Sequence, residues 1–280
     1  MTIQGAAVAF IPSPLFIPLT HPMISDNIKQ QLISLAQKYE QPDFINGDPS
    51  WFMHQVKGER NQETMAFIAS CLSYGSRRQF MPKIALMANH SQGDIFLWVK
   101  EAAYHELIPN NDKCYYRLYT NAMITDMLDA LRQMIVDHGS IAAFIAEKSN
   151  GSPAQGGTRG ITARNAIDAI CTHFAAHGSR GIIPRNSSSA CKRICMYLRW
   201  MVRSDSPVDL GLWQDIIDRR NLIMPLDTHV IQQANRLQLI HTSTASMTTA
   251  QRLTDTLCEI WPDDPLKGDF ALFGYGVNSK

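Results

Sequence analysis

The chain has little that would announce a partner from a distance. Its 26 basic and 25 acidic residues leave a net charge of +1, so no global field marks a nucleic-acid or membrane ligand. Any such ligand has to be met by a local patch. Cysteine is sparse and badly spaced for metal: Cys71, Cys114, Cys171, Cys191, Cys195 and Cys258 include no C-x-x-C pair, which excludes the usual zinc spacings. Cys191 and Cys195, four apart on an expected helix, are too few ligands alone, and all six read as reduced thiols of a cytoplasmic protein. No apolar run approaches the roughly 18 residues of a membrane span. The apolar start, MTIQGAAVAFIPSPLFIPL, lacks a basic leader segment and is interrupted by three prolines, so residues 1–22 are expected to form an extended arm rather than a signal peptide. Alternating strand patterns are equally scarce; CYYRLYT (114–120) is the one candidate and is too short to expect a sheet.

What remains is helical periodicity. At 280 residues and 45% apolar content, there is material for one large domain or two small ones around a shared core. Amphipathic patterns run through NIKQQLISLAQKYE, NQETMAFIASCLSYG and RRQFMPKIALMANH. In TNAMITDMLDALRQMIVDHG, Met123, Met127, Leu128, Leu131 and Ile135 line one face before Gly139 stops the helix. SIAAFIAEK and ITARNAIDAICTHFAAHG follow, separated by the low-complexity loop SNGSPAQGGTRG (149–160). Further helices are expected near 187–203, 226–237, 247–259 and 265–276. The fold class is all-α in two helical domains, with a cleft between them. A discontinuous domain takes residues 23–95 plus 216–280, and a central bundle takes 96–215, including a hairpin-like segment at 178–203.

Two local features carry chemistry. Between Gly178 and Arg203 stand Arg180, Arg185, Lys192, Arg193, Arg199 and Arg203 with no acid among them. On a helix, Lys192, Arg199 and Arg203 fall within about 40° of one another, opposite Ile194, Tyr197, Leu198 and Met201. This predicts an outward cationic stripe, with the serines at 187–189 as helix caps and Arg185, Ser187, Ser188, Arg193, Arg199 and Arg203 as contacts to a phosphate backbone. The bland alternative is a solvated basic face. The second feature is Asp227, which closes the apolar run LIMPL and opens a helix: a carboxylate there serves as a cap, and it can also hold a charge for chemistry. A lysine near other cations has a lowered pKa, and its free amine can attack C1′ of a nucleotide while a carboxylate offsets charge developing on the sugar. Lys192 and Asp227 are the candidate pair. Tyr74 reads either as a wedge or as a helix-end aromatic. Arg117 reads as a brace or a DNA contact, and Trp200 as a seal at the core edge or a pocket wall. His229 is directed away from Asp227 by helical geometry.

PLDTHVIQQANRLQLI resembles the V-D-T-H-V-x-R-x-x-x-R-L-x-L segment of helix-hairpin-helix DNA glycosylases, the superfamily that includes endonuclease III. The pieces DPSWFMHQV, FIASCLSYGSRRQ, YYRLYT, SACKRICMYLRWMVR, VDLGLW, PLDTHV and DFALFGYG resemble a bacterial family within it. They are also similar to the archaeal 8-oxoguanine glycosylases, whose lysine opens a K-x-x-x-F-x-x-K-M helix. The resemblance implies Lys192 as Schiff-base nucleophile and Asp227 as its partner. It implies Asp269 and Phe273 as walls of a base pocket, an aromatic face and an acceptor for a flipped purine. The implied activity is excision of an oxidised base, most plausibly 8-oxoguanine, from double-stranded DNA, coupled to AP-lyase cleavage. The implied protein is a monomer with no membrane partner, close to the nucleoid. A catalytically inactive DNA-binding protein, or an enzyme acting on RNA or nucleosides, are the other readings. The L-P-G-V-G-x-x-T hairpin of the superfamily is replaced by IIPRNSSSACKR. The four-cysteine tail of endonuclease III is missing, so no iron–sulfur cluster and no metal are expected.

Overall fold

The computed structural model describes residues 24–149, 161–179 and 181–278. The expected N-terminal arm, nearly all of the 149–160 loop, and Arg180 lie outside these residues. The described chain is mostly helical. In order come α1 (Asp26–Tyr39), α2 (Glu59–Leu72), α3 (Arg77–His90), α4 (Ile95–Lys100) and α5 (Tyr104–Leu107). Then follow strands β1 (Cys114–Tyr116) and β2 (Tyr119–Thr120), and helices α6 (Asn121–His138), α7 (Ile141–Ser149), α8 (Ala163–Ala176), α9 (Lys192–Val202), α10 (Thr228–Arg236), α11 (Met247–Leu257) and α12 (Lys267–Asn278).

Local chemistry sets most of these boundaries. The side chains of Ser25, Thr120, Thr162, Asp227 and Ser246 each accept a backbone N–H from the first turn of the helix they open. Gly139 ends α6 in the left-handed conformation, φ +82°, where a side chain would be strained. The expectation for the α9 start is overturned. The helix begins at Lys192, and its N-cap is Cys191 at φ +43° with no side-chain cap, so the serines at 187–189 do not cap it. CYYRLYT is also corrected: it folds into a two-stranded antiparallel hairpin, with Tyr116 opposite Tyr119. Two such short strands are enough because the hairpin does not stand alone. Tyr116 and Tyr119 are buried, and the Tyr116 hydroxyl donates to the Leu72 carbonyl at 2.5 Å.

α1 lies along α12, which also packs on α10, so the first and last helices of the described residues meet. α2 is buried along nearly all of its length against α9 and the 3₁₀ segment Pro49–His54. One continuous apolar cluster joins these layers. α9 belongs to this cluster, and its Trp200 is fully buried.

Glu63 on α2 is buried and accepts the backbone N–H groups of Ile141 (3.2 Å) and Ala142 (2.6 Å), so it ties α2 to the start of α7. Burial raises its carboxyl to about 7, against the opposing pull of those N–H groups. The unfolded chain releases this proton near the ordinary 4.5, whereas the folded chain keeps it to about 7. Its contribution to stability is therefore full below the lower value and lost as pH rises through the upper one. Glu63→Gln should flatten the stability profile between those two pH values, removing a slope worth on the order of 3 kcal/mol; urea unfolding of both proteins across that window is the check.

Candidate active site

The apolar residues 222–226 are buried and deliver Asp227 to the start of α10. Its two carboxylate oxygens have different duties. One accepts the Val230 N–H at 2.9 Å, closing the first turn of α10; the other accepts from the Lys192 Nζ at 2.7 Å. The cap and the charged partner are thus one group. Lys192 is the first residue of α9, so two helix starts face each other across 35 positions of sequence. The pair is only half-buried, with side chains 39% and 30% exposed, which leaves the amine accessible to a substrate. Burial pushes the Asp227 carboxyl up, but Lys192, the Val230 N–H and His229 together pull it below its usual value and keep it ionised.

The pair stands between two chambers. The first, about 370 Å³, has Asp269, Phe273, Phe44, Met196 and Gln233 in its walls. The second, about 760 Å³, is lined by Tyr74, Gly75, Pro184, Cys191 and Arg193. Lys192, Asp227, His229, Met196, Asp48 and Arg77 border both. The first chamber suits a flat heterocycle. Phe44 meets Phe273 edge-on at 5.1 Å and Phe270 at 5.0 Å, an aromatic wall beside a carboxylate. Asp269 is bound by the Arg199 guanidinium; burial raises its carboxyl while Arg199 and Lys192 oppose the rise. Arg77, on the first turn of α3, is paired with Asp48 at 2.9 Å and stays half exposed.

The residues expected from sequence divide accordingly. Lys192, Asp227, Asp269 and Phe273 share the first chamber. Tyr74 does not join them: it lines the second chamber, beneath the Arg117 guanidinium at 4.9 Å. The outward cationic stripe is overturned. Arg199 and Arg203 are 4% and 1% exposed and cannot reach a phosphate backbone. Arg199 bonds Asp209 and Asp269, and Arg203 bonds Asp209, Asp264 and Glu40. Burial works against both charges, but these carboxylates outweigh it and raise both pKa values. Arg193 is turned inward, donating to the Cys71 carbonyl (2.9 Å) and the Tyr119 hydroxyl (2.6 Å). Ser187 is buried with its hydroxyl on Asp168, which leaves Arg185 and Ser188 exposed among the backbone-contact candidates.

His229 is the other correction: it borders both chambers beside Asp227. Asp227 has extended backbone (φ −130°, ψ −178°), so the helical 100° step does not begin until the next residue. Arg77, Asp48, Phe44 and Gln233 escaped sequence reasoning. Only the Arg77-Arg78 pair, cations at a helix N-terminus where the macrodipole disfavours them, carried a local signal. Among the described residues, no three His, Cys, Asp or Glu side chains converge to hold a metal ion, and all six cysteines are free.

The model of a family described as a protein of unknown function (DUF2400) matches residues 48–278, and the chain belongs to that family. No curated protein and no solved structure matches it.

Removing one partner from the buried ion cluster leaves uncompensated charge. Arg203→Met should therefore destabilise the protein by about 3–5 kcal/mol, read as a lower urea midpoint at unchanged m. An equally stable Arg203→Met protein would contradict the cluster.

Proposed function

We propose that this protein is a DNA glycosylase with AP-lyase activity, acting on an oxidised base such as 8-oxoguanine through Lys192. The observation that carries this reading is the 2.7 Å contact between the Lys192 amine and an ionised, capped Asp227 at the mouth of an aromatic chamber. The helix-hairpin-helix glycosylase resemblance of the PLDTHV and SACKR segments points to the same two residues.

In this mechanism a nucleotide leaves the stack and its base enters the first chamber, at a cost of a few kcal/mol that stacking against Phe273 helps to offset. Lys192 gives one ammonium proton to solvent, and its nitrogen lone pair then attacks C1′ while Asp227 stays ionised. The bond from C1′ to the base breaks, and the base departs with that electron pair, taking up the proton that the newly bonded nitrogen sheds. Opening of the sugar, as its ring oxygen leaves C1′, gives the C1′=N Schiff base, from which loss of a C2′ proton expels the 3′ phosphate. The negative charge of Asp227 offsets positive charge on the sugar during the attack. Asp269 offers a carboxylate acceptor to purine N–H groups. The surroundings of Lys192 differ from the cationic setting inferred from sequence: its close neighbours are the carboxylates of Asp227 and Asp269.

Borohydride reduction during turnover tests the reading. With duplexes bearing 8-oxoguanine, uracil, oxidised pyrimidines or an abasic site, a covalent adduct should form on the cognate lesion and vanish in Lys192→Gln. Asp227→Asn should cut trapping by about 100-fold while costing about 1 kcal/mol of stability as a weakened cap. Absence of any adduct, with salt-sensitive duplex binding intact, would instead identify a DNA-binding module.

A further inference from the structure

The two-stranded hairpin is also the least economical part of the surface. The hairpin turns on two residues, Arg117 and Leu118. Leu118 is 72% exposed, more than any other large apolar side chain among the described residues. Arg117 sits at φ +50°, a conformation that costs a residue with a Cβ. A lone exposed leucine is ordinary. This one differs in how firmly it is mounted.

Tyr116 and Tyr119, on either side of the tip, are 6% and 4% exposed. Tyr116 is hydrogen-bonded to the end of α2, and Tyr119 accepts from Arg193, the residue next to Lys192. The Arg117 guanidinium lies over the Tyr74 ring and so close to Gly75 that a Cβ there would come within 2.0 Å of it. Gly75 itself is at φ +87°, so glycine is required twice over. Tyr74 and Gly75 line the second chamber, and the Arg117 guanidinium packs against both. From Lys113 to Thr120 the segment carries two cations and no acid, and Lys83 lies over the Tyr115 ring at 4.6 Å. The result is a rigid apolar point with basic flanks, fixed in register with the amine at the cleft.

We propose that the Arg117 and Leu118 tip is a wedge that enters the base stack of a nucleic-acid duplex, Leu118 filling the space of the displaced nucleotide and Arg117 facing the phosphates. Apolar side chains between base steps unstack and kink a duplex, and such insertion makes duplex rather than single strand the preferred partner. The proposal rests on the glycosylase reading for its position beside Lys192, but its test does not require chemistry.

The test places 2-aminopurine beside an abasic site in a duplex and uses the full chain carrying Lys192→Gln, so that nothing turns over. Binding should raise the fluorescence as the neighbouring base unstacks. Adding Leu118→Ala should abolish the rise at saturating protein, and Leu118→Met should keep it. With Lys192 restored, Leu118→Ala should lower the ratio of duplex to single-strand trapping rates about tenfold, the scale of withdrawing one buried leucine side chain. A Leu118→Ala protein that raises the fluorescence as before, or a parent that never raises it, overturns the wedge. A fluorescence rise without any borohydride adduct retains the wedge and removes the glycosylase reading.

Discussion

The structure depends on two buried guanidinium groups. Arg199 lies on α9 and Arg203 caps its C-terminal end, both within the core, and their carboxylate partners come from four directions: Asp209 after α9, Asp264 before α12, Asp269 within α12, and Glu40 at the end of α1. Ions taken out of water each cost several kcal/mol unless their geometry and hydrogen bonds are nearly complete. α9, α12 and the end of α1 are therefore held to one relative position, because any slip would leave a buried charge unpaired. Lys192 stands two turns before Arg199 on the same helix, and Asp269 belongs to the cluster itself. The ion cluster thus positions the cleft as well as the core.

That framework also fixes an amine and two carboxylates around one cleft. Asp227 is tied down by the first turn of its own helix, and Asp269 by Arg199, so neither is free to collapse fully around the amine. The aromatic wall is similarly braced: Phe273 also meets Tyr39 of α1 edge-on at 5.7 Å, so the pairing of α1 with α12 supports the chamber from behind. On the other side of Lys192, Arg193 links α9 to the hairpin and to the end of α2. Two consecutive residues therefore carry opposite assignments, one open to the cleft and one bracing it.

Much of the helical layout is legible in sequence because its signals are local. Apolar residues repeating within a turn or two, a hydroxyl or carboxylate at the first N–H groups, and Gly139 at a left-handed position act over distances that a window of residues contains. Asp227 as a cap belongs to this class, and its pairing with Lys192 was legible through the resemblance. The exposure of Arg199 and Arg203 was not. A stripe of cations without neighbouring acids reads as a solvated face, but the acids that neutralise Arg203 lie 6, 61 and 163 residues away. The hairpin was missed for a related reason: two such short strands cannot hold a sheet by themselves, and their anchors are Leu72 and Arg193.

By itself the sequence determined a mostly helical chain, where most of its helices begin and end, and an aspartate set at a helix start for charge. Only the tertiary structure decided which cations are buried and which face the cleft, that Tyr74 and Phe273 line different chambers, and that Leu118 stands exposed on a fixed tip. The division follows from range. Hydrogen bonds within a turn are written in adjacent residues, whereas the desolvation of a charge depends on every element packed around it.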